Sequence, residues 1–233
     1  YVVNYLDTTY EKELSFPALE IRFPDDYAGQ DALLFVQRAD GTFIERAGAA
    51  GVRNHDGKGL GAVFFDYDGD GRSDLYVAND RAPNVLYRGI GDGTFHDVTA
   101  ETGAGAREGS PRAGMGLAVG DLDGDGHPDL VVTNFAGEPN SVYRSVDGVL
   151  FDDATESSGI GNPSLPQMKW GADLVDLDDD GALDLVATSG HLVPRFIGFM
   201  VRLFGKKTNA AYRMGNRSFR QPPMLFRNLG AGR

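Results

Sequence analysis

Three segments of this chain set aspartates at alternating positions around a glycine. They are Asp66-Tyr67-Asp68-Gly69-Asp70-Gly71-Arg72-Ser73-Asp74-Leu75, Asp121-Leu122-Asp123-Gly124-Asp125-Gly126-His127-Pro128-Asp129-Leu130 and Asp176-Leu177-Asp178-Asp179-Asp180-Gly181-Ala182-Leu183-Asp184-Leu185. Alternating carboxylates let one short loop converge several oxygens on a point, and the glycine lets it turn sharply. That is what calcium, a hard cation seeking six to eight oxygens, requires. In the first loop Asp66, Asp68, Asp70 and Asp74 supply side-chain oxygens at positions 1, 3, 5 and 9, and Arg72 supplies its backbone carbonyl at position 7. Asp121, Asp123, Asp125, Asp129 and the His127 carbonyl take these roles in the second loop. Asp176, Asp178, Asp180, Asp184 and the Ala182 carbonyl take them in the third. Water or a bidentate position 9 completes each shell, so the expected load is about three calcium ions.

Two other readings of these loops fit less well. A helix-flanked calcium hand shares the opening D-x-D-x-D-G but needs a glutamate at position 12. Position 12 here is Val77, Val132 or Ala187, each in a β-prone run. Plain acidic turns would account for Asp and Gly, but not for four aspartates at the same spacing three times over. Without a cation the crowded carboxylates repel one another, so the ion is expected to act as a structural staple.

The elements that must position these loops recur with them. The first aspartates stand 55 residues apart. A β-prone run precedes each loop (60–65, 115–119, 170–175) and another follows (75–79, 130–134, 185–188), with 1–4 matching the second type. A third run appears at 84–88, 140–144, 33–37 and 224–228, and a fourth opens on Phe95, Phe151 and Phe43. Four short strands at this period are the mark of a propeller blade. The expected fold is therefore all-β, a β-propeller of four-stranded antiparallel blades with calcium-binding loops, partial at about four repeats of 55 residues. Residues 1–46 end a preceding blade, 47–98, 99–154 and 155–233 form successive repeats, and the last carries an insertion at 191–221. Strand-like residues at the very start, and a tail that stops where other repeats reach their phenylalanine, are expected to be cut edges of a longer chain.

Composition narrows the partners. Of 233 residues, 34 are acidic and 22 basic, for a formal charge of -12, which disfavours nucleic-acid phosphates as ligands. Cysteine is absent, which rules out disulfides, thiolate zinc sites and a cysteine nucleophile. No run approaches the length of a spanning helix.

The loops, the β-runs after them, and the G-x-G-x-F turns leading into Phe95-His96-Asp97-Val98-Thr99 and Ala154-Thr155-Glu156 resemble the FG-GAP or VCBS repeats of integrin-like propellers. Leu225-Phe226-Arg227-Asn228-Leu229-Gly230, after Gln221-Pro222-Pro223, is similar to the cartilage acidic protein and ASPIC/UnbV group. That resemblance covers almost the whole chain. It implies a secreted, periplasmic or cell-surface protein carrying calcium for structure, and it implies no reaction. Asp179 departs from the glycine of that pattern at position 4, and Gly89 and Ser145 from its asparagine.

The segment 191–221 breaks the repeat. It holds Arg195, Arg202, Lys206, Lys207, Arg213, Arg217 and Arg220 and no acidic residue. It reads as a packing element over the propeller edge, or else as an apolar helix touching a membrane surface through 195–207 or a partner. The histidines, His55, His96, His127 and His191, fall at non-equivalent positions, and Trp170 reads as core packing or a sugar-stacking platform. The leading function is a calcium-stabilised binding or adhesion scaffold outside the cytoplasm. Its partners would be a protein or glycan on a loop face and the remaining blades of the parent chain. The alternatives are a propeller supporting a carbohydrate-active or other secreted enzyme, and a purely structural module.

Overall fold

The computed structural model describes residues 1–7, 24, 27–105, 111–190 and 221–230. Its strands, in chain order, are β1 (Phe35–Gln37), β2 (Phe43–Glu45), β3 (Gly59–Phe65), β4 (Asp74–Asn79), β5 (Val85–Gly89), β6 (Phe95–Asp97), β7 (Gly114–Gly120), β8 (Asp129–Asn134), β9 (Ser141–Val146), β10 (Leu150–Asp153), β11 (Lys169–Val175), β12 (Asp184–Ser189) and β13 (Met224–Phe226). Single-turn helices α1 (Ala47–Ala50), α2 (Thr99–Thr102) and α3 (Gly161–Ser164) link successive sheets. The sheets are antiparallel meanders, β3-β4-β5-β6 and β7-β8-β9-β10 with four strands, β11-β12-β13 with three, and the hairpin β1-β2. These are propeller blades in an all-β chain, and the described blades do not close a ring.

The second strand of each blade explains the stacking. A strand alternates its side chains between two faces, yet every residue of β4 and of β8 is buried. Leu75 and Val77 enter one core with Leu34, Val52 and Tyr87, while Tyr76 and Ala78 enter another with Leu130, Val132, Tyr143 and Phe151. Val131 turns the other way and packs with Leu185 and Val142. Each of the two four-stranded sheets is thus covered on both faces by its neighbours, which is why these runs read as continuously apolar instead of alternating. Beneath them Tyr76 donates its hydroxyl to the Ala104 carbonyl at 2.6 Å, so the buried phenol is satisfied.

First strands of adjacent blades converge through glycine. A Cβ on Gly61 would sit 2.4 Å from the Met115 carbonyl oxygen, and one on Gly116 would sit 1.8 Å from that of Trp170. Each lies at a register shift, between Gly59 and Gly61 in β3 and between Gly114 and Leu117 in β7. Bulge and missing side chain together let the next blade's backbone approach. In β11 the residue equivalent to Gly59 and Gly114 is Lys169, fully buried. Its ammonium donates to the carbonyls of Glu138 and Ser164, both at 2.9 Å, and reaches that of Phe135 at 3.5 Å. Burial pushes its pKa down to about 8. The charge of Glu138 opposes that shift, and the carbonyls that hold the ammonium tie β11 to the turn after β8 and to α3.

Two expectations differ from what is observed. Residues 1–4 form no strand, only a single bridge between Val2 and Leu33. The run at 33–37 pairs as a strand over Phe35–Gln37 alone. Val2 exchanges backbone bonds with Leu33 at 2.7 and 2.9 Å and Asn4 accepts the Gly59 N–H at 3.1 Å, but these isolated bonds do not build a continuous ladder along residues 1–4. Among the described residues the third repeat contributes three strands, matching the three runs read there. Trp170 is half-buried and donates its indole N–H to the Gly190 carbonyl at 2.8 Å. His191, the basic insertion up to residue 220, and with it the proposed membrane contact at 195–207, lie outside the described residues. No described helix is long and apolar enough to cross a membrane.

Candidate metal centre

Each acidic loop joins the first and second strands of its blade, so all three occur at the same point of three successive repeats. Position 1 organises the turn. Asp66 accepts the N–H of Asp70 at 3.1 Å and of Gly71 at 2.8 Å through its two oxygens. Asp121 does the same for Asp125 and Gly126, and Asp176 for Asp180 and Gly181. Position 5 closes the loop, with Arg72, His127 and Ala182 donating their N–H to Asp70, Asp125 and Asp180 at 2.8 to 3.0 Å. Left-handed backbone is required at position 4, where φ is +69° at Gly69, +79° at Gly124 and +59° at Asp179. Aspartate tolerates that region better than most side chains, so the departure at Asp179 keeps the turn.

Carboxylate oxygens of Asp66, Asp68 and Asp70 lie within 4.8 Å of one another, as do those of Asp176, Asp178 and Asp180. In the second loop the group is Asp121, Asp123 and Asp129, so position 9 stands there in place of position 5. An all-oxygen, carboxylate-rich donor set fits a hard divalent cation and gives no soft ligand for copper or zinc.

Position 9 has a second task that its place in the motif does not reveal. Asp74 is fully buried and accepts the N–H of Tyr67 at 2.9 Å and of Gly89 at 2.8 Å. Asp129 accepts those of Leu122 and Ser145, both at 2.8 Å. Asp184 accepts those of Leu177 at 3.2 Å and Asn228 at 2.8 Å. In each blade one carboxylate therefore clamps the loop to the end of the third strand. Asn228 adds a bond from its side chain to the Leu122 carbonyl of the preceding loop at 2.8 Å, which joins two blades.

Third strands also bring a cation to each loop. Arg88 on β5 lies 2.7 Å from Asp68 and 3.2 Å from Asp70, and Arg227, next after β13, lies 2.5 Å from Asp178 and 3.4 Å from Asp180. Arg144 on β9 stands 3.9 Å from Asp123. Sequence reasoning passed over these arginines as part of the third run. The signal available was that a basic residue follows Tyr87, Tyr143 and Phe226 alike.

Burial dominates the electrostatics of position 9. It raises the pKa of Asp74, and it raises that of Asp129 to about 6 against 3.8 for the free side chain, helped by Asp123 and Asp125 and opposed by the two N–H donors. In chelator the folded chain thus holds this proton up to about pH 6, while the unfolded chain releases it near pH 4. The contribution of Asp129 to stability is greatest below pH 4 and is lost as pH rises through 6. Urea unfolding of the metal-free chain at pH 5 and pH 7 should show this loss, and Asp129→Asn should reduce it.

Short four-stranded blades stacked face to face, each with an aspartate loop between its first two strands, define a propeller of the repeat type. The FG-GAP-like repeat matches residues 66–132 and 121–187. Spanning more than half of the chain, that match places it in the FG-GAP-like repeat family. Cartilage acidic protein 1 of Homo sapiens is 29% identical over 185 residues, covering 76% of this chain and 27% of that protein. The Mus musculus protein of the same name is 28% identical over 185 residues, covering 76% and 28%, and that of Xenopus tropicalis 27% over 162 residues, covering 68% and 22%. This chain spans about a quarter of the length of these relatives.

Proposed function

We propose that this chain is part of a calcium-stapled, non-catalytic binding scaffold working outside the cytoplasm. The observation that carries the reading is the recurrence of one carboxylate cluster at one point of three successive blades. Asp66, Asp68, Asp70 and Asp74 hold the first ion, Asp121, Asp123, Asp125 and Asp129 the second, and Asp176, Asp178, Asp180 and Asp184 the third. The carbonyls of Arg72, His127 and Ala182 complete the shells. Most of these carboxylates already bind loop amides, which suits a structural ion better than proton transfer. Extracellular calcium modules bind at about 10⁻⁴ to 10⁻³ M, so loops of that affinity would fill outside a cell and stay empty in cytoplasm.

Further blades of the parent protein are the first partner we propose. Phe65, Tyr67, Tyr76 and Leu86 of the β3–β6 blade pack toward the next blade. Their equivalents in the third repeat, Val175, Leu177, Val186 and Leu225, form a face on which Val175, Leu177 and Leu225 are exposed. A surface built like the buried ones calls for a similar blade upon it. A protein or glycan ligand would then engage the loops of one face.

Calorimetric titration of the chelator-stripped chain with calcium tests the reading. Saturation near three ions is expected, falling to two in Asp121→Ala. Absence of any binding heat or calcium-dependent change in unfolding would refute it.

A further inference from the structure

The calcium reading leaves Arg88, Arg144 and Arg227 without a task. None is a possible ligand, since a guanidinium carries donors and no acceptor. Yet they occupy one structural position in three blades, and each points at the same part of its loop. Arg88 and Arg227 meet the carboxylates of positions 3 and 5, and Arg144 approaches position 3. Position 1 is left to the backbone amides.

We infer that these arginines are tethered counter-cations that hold the empty loops together and, by sharing two of the metal's carboxylates, lower calcium affinity. The inference rests on the calcium reading and deepens it. Two charges within a few ångströms of the same oxygens repel each other even in water, so an ion entering the loop must do so against the guanidinium. When no ion is present, the same guanidinium offsets the repulsion between the paired aspartates and keeps the loop near its folded shape.

The contacts differ in a graded way, which gives the inference an internal control. The first loop carries Arg88 at 2.7 Å and also Arg72, 3.2 Å from Asp70. The third carries Arg227 alone, at 2.5 Å from Asp178. The first loop should therefore be more strongly opposed than the third.

The test is calcium titration of the whole chain, wild type beside Arg88→Gln, Arg88→Gln combined with Arg72→Gln, and Arg227→Gln, with thermal unfolding in chelator. Arg88→Gln and Arg227→Gln should each bind calcium about threefold or more tightly at one site, with a gain that shrinks in high salt. Both should melt earlier in chelator, and Arg88→Gln should gain the more in affinity only once Arg72 is also replaced by Gln. If Arg88→Gln does not fold without calcium, Arg227→Gln at the chain's last described strand carries the test. Unchanged or weaker calcium binding in folded variants would overturn the inference while leaving the calcium reading standing. A wild type that binds no calcium would instead remove the reading itself.

Discussion

Saturating calcium should raise the melting temperature of this chain by on the order of 20 °C over its value in chelator. Each ion that binds only the folded loop adds about 2.7 kcal/mol at 100 times its dissociation constant. Three such sites, loaded independently, contribute about 8 kcal/mol. For a domain of this size each kcal/mol moves the midpoint by about 2 to 4 °C. The loops transmit the effect to the blades because position 9 binds both the loop and the third strand, at Gly89, Ser145 and Asn228. Thermal unfolding followed by circular dichroism, with calcium, magnesium and chelator compared, measures it. Equal melting in calcium and chelator would count against structural ions. A smaller rise with magnesium is expected, because its tight octahedral shell suits these multi-carboxylate loops poorly.

Gly116→Ala should cost about 3 kcal/mol or more, while Gly171→Ala at the equivalent position of the next blade should be mild. The first adds a methyl group 1.8 Å from the Trp170 carbonyl oxygen and 2.7 Å from its carbon. Both are backbone atoms of β11, so relief requires the blades to move apart, at or beyond the upper end of overpacking costs. The second meets only Thr188 Oγ1 at 3.4 Å, an ordinary contact. Urea unfolding of the two variants in calcium measures the difference. Equal midpoints would mean that the blade-to-blade approach at Gly116 is not what the structure shows. In a longer chain whose next blade covers this face, Gly171→Ala should become as costly as Gly116→Ala.

Much of the fold was legible in the chain. The strands preceding and following each loop were located within one residue at nearly every end, because Gly-Asp turns punctuate apolar β-branched runs and the pattern recurs every 55 residues. Where the reading overshot, at residues 1–4 and 33–37, the residues favoured a strand but the neighbouring ladder was missing. Pairing depends on what lies alongside, and a run of residues carries no record of that.

The aspartate loops were determined by the sequence alone. Their carboxylates, glycines and turns act within ten residues of one another, and local chemistry of that kind does not wait for tertiary structure. Only the folded chain decided what happens between strands and across blades. Arg88 reaches Asp68 because β5 runs beside β4, Gly116 must be bare because β11 lies against β7, and Lys169 stays buried because two carbonyls from the turn after β8 join that of nearby Ser164 around it. The first of these pairings needs the strands of one blade side by side, and the contact of Gly116 with Trp170 and those of Lys169 with Phe135 and Glu138 need two blades packed together, so none is carried by a loop alone.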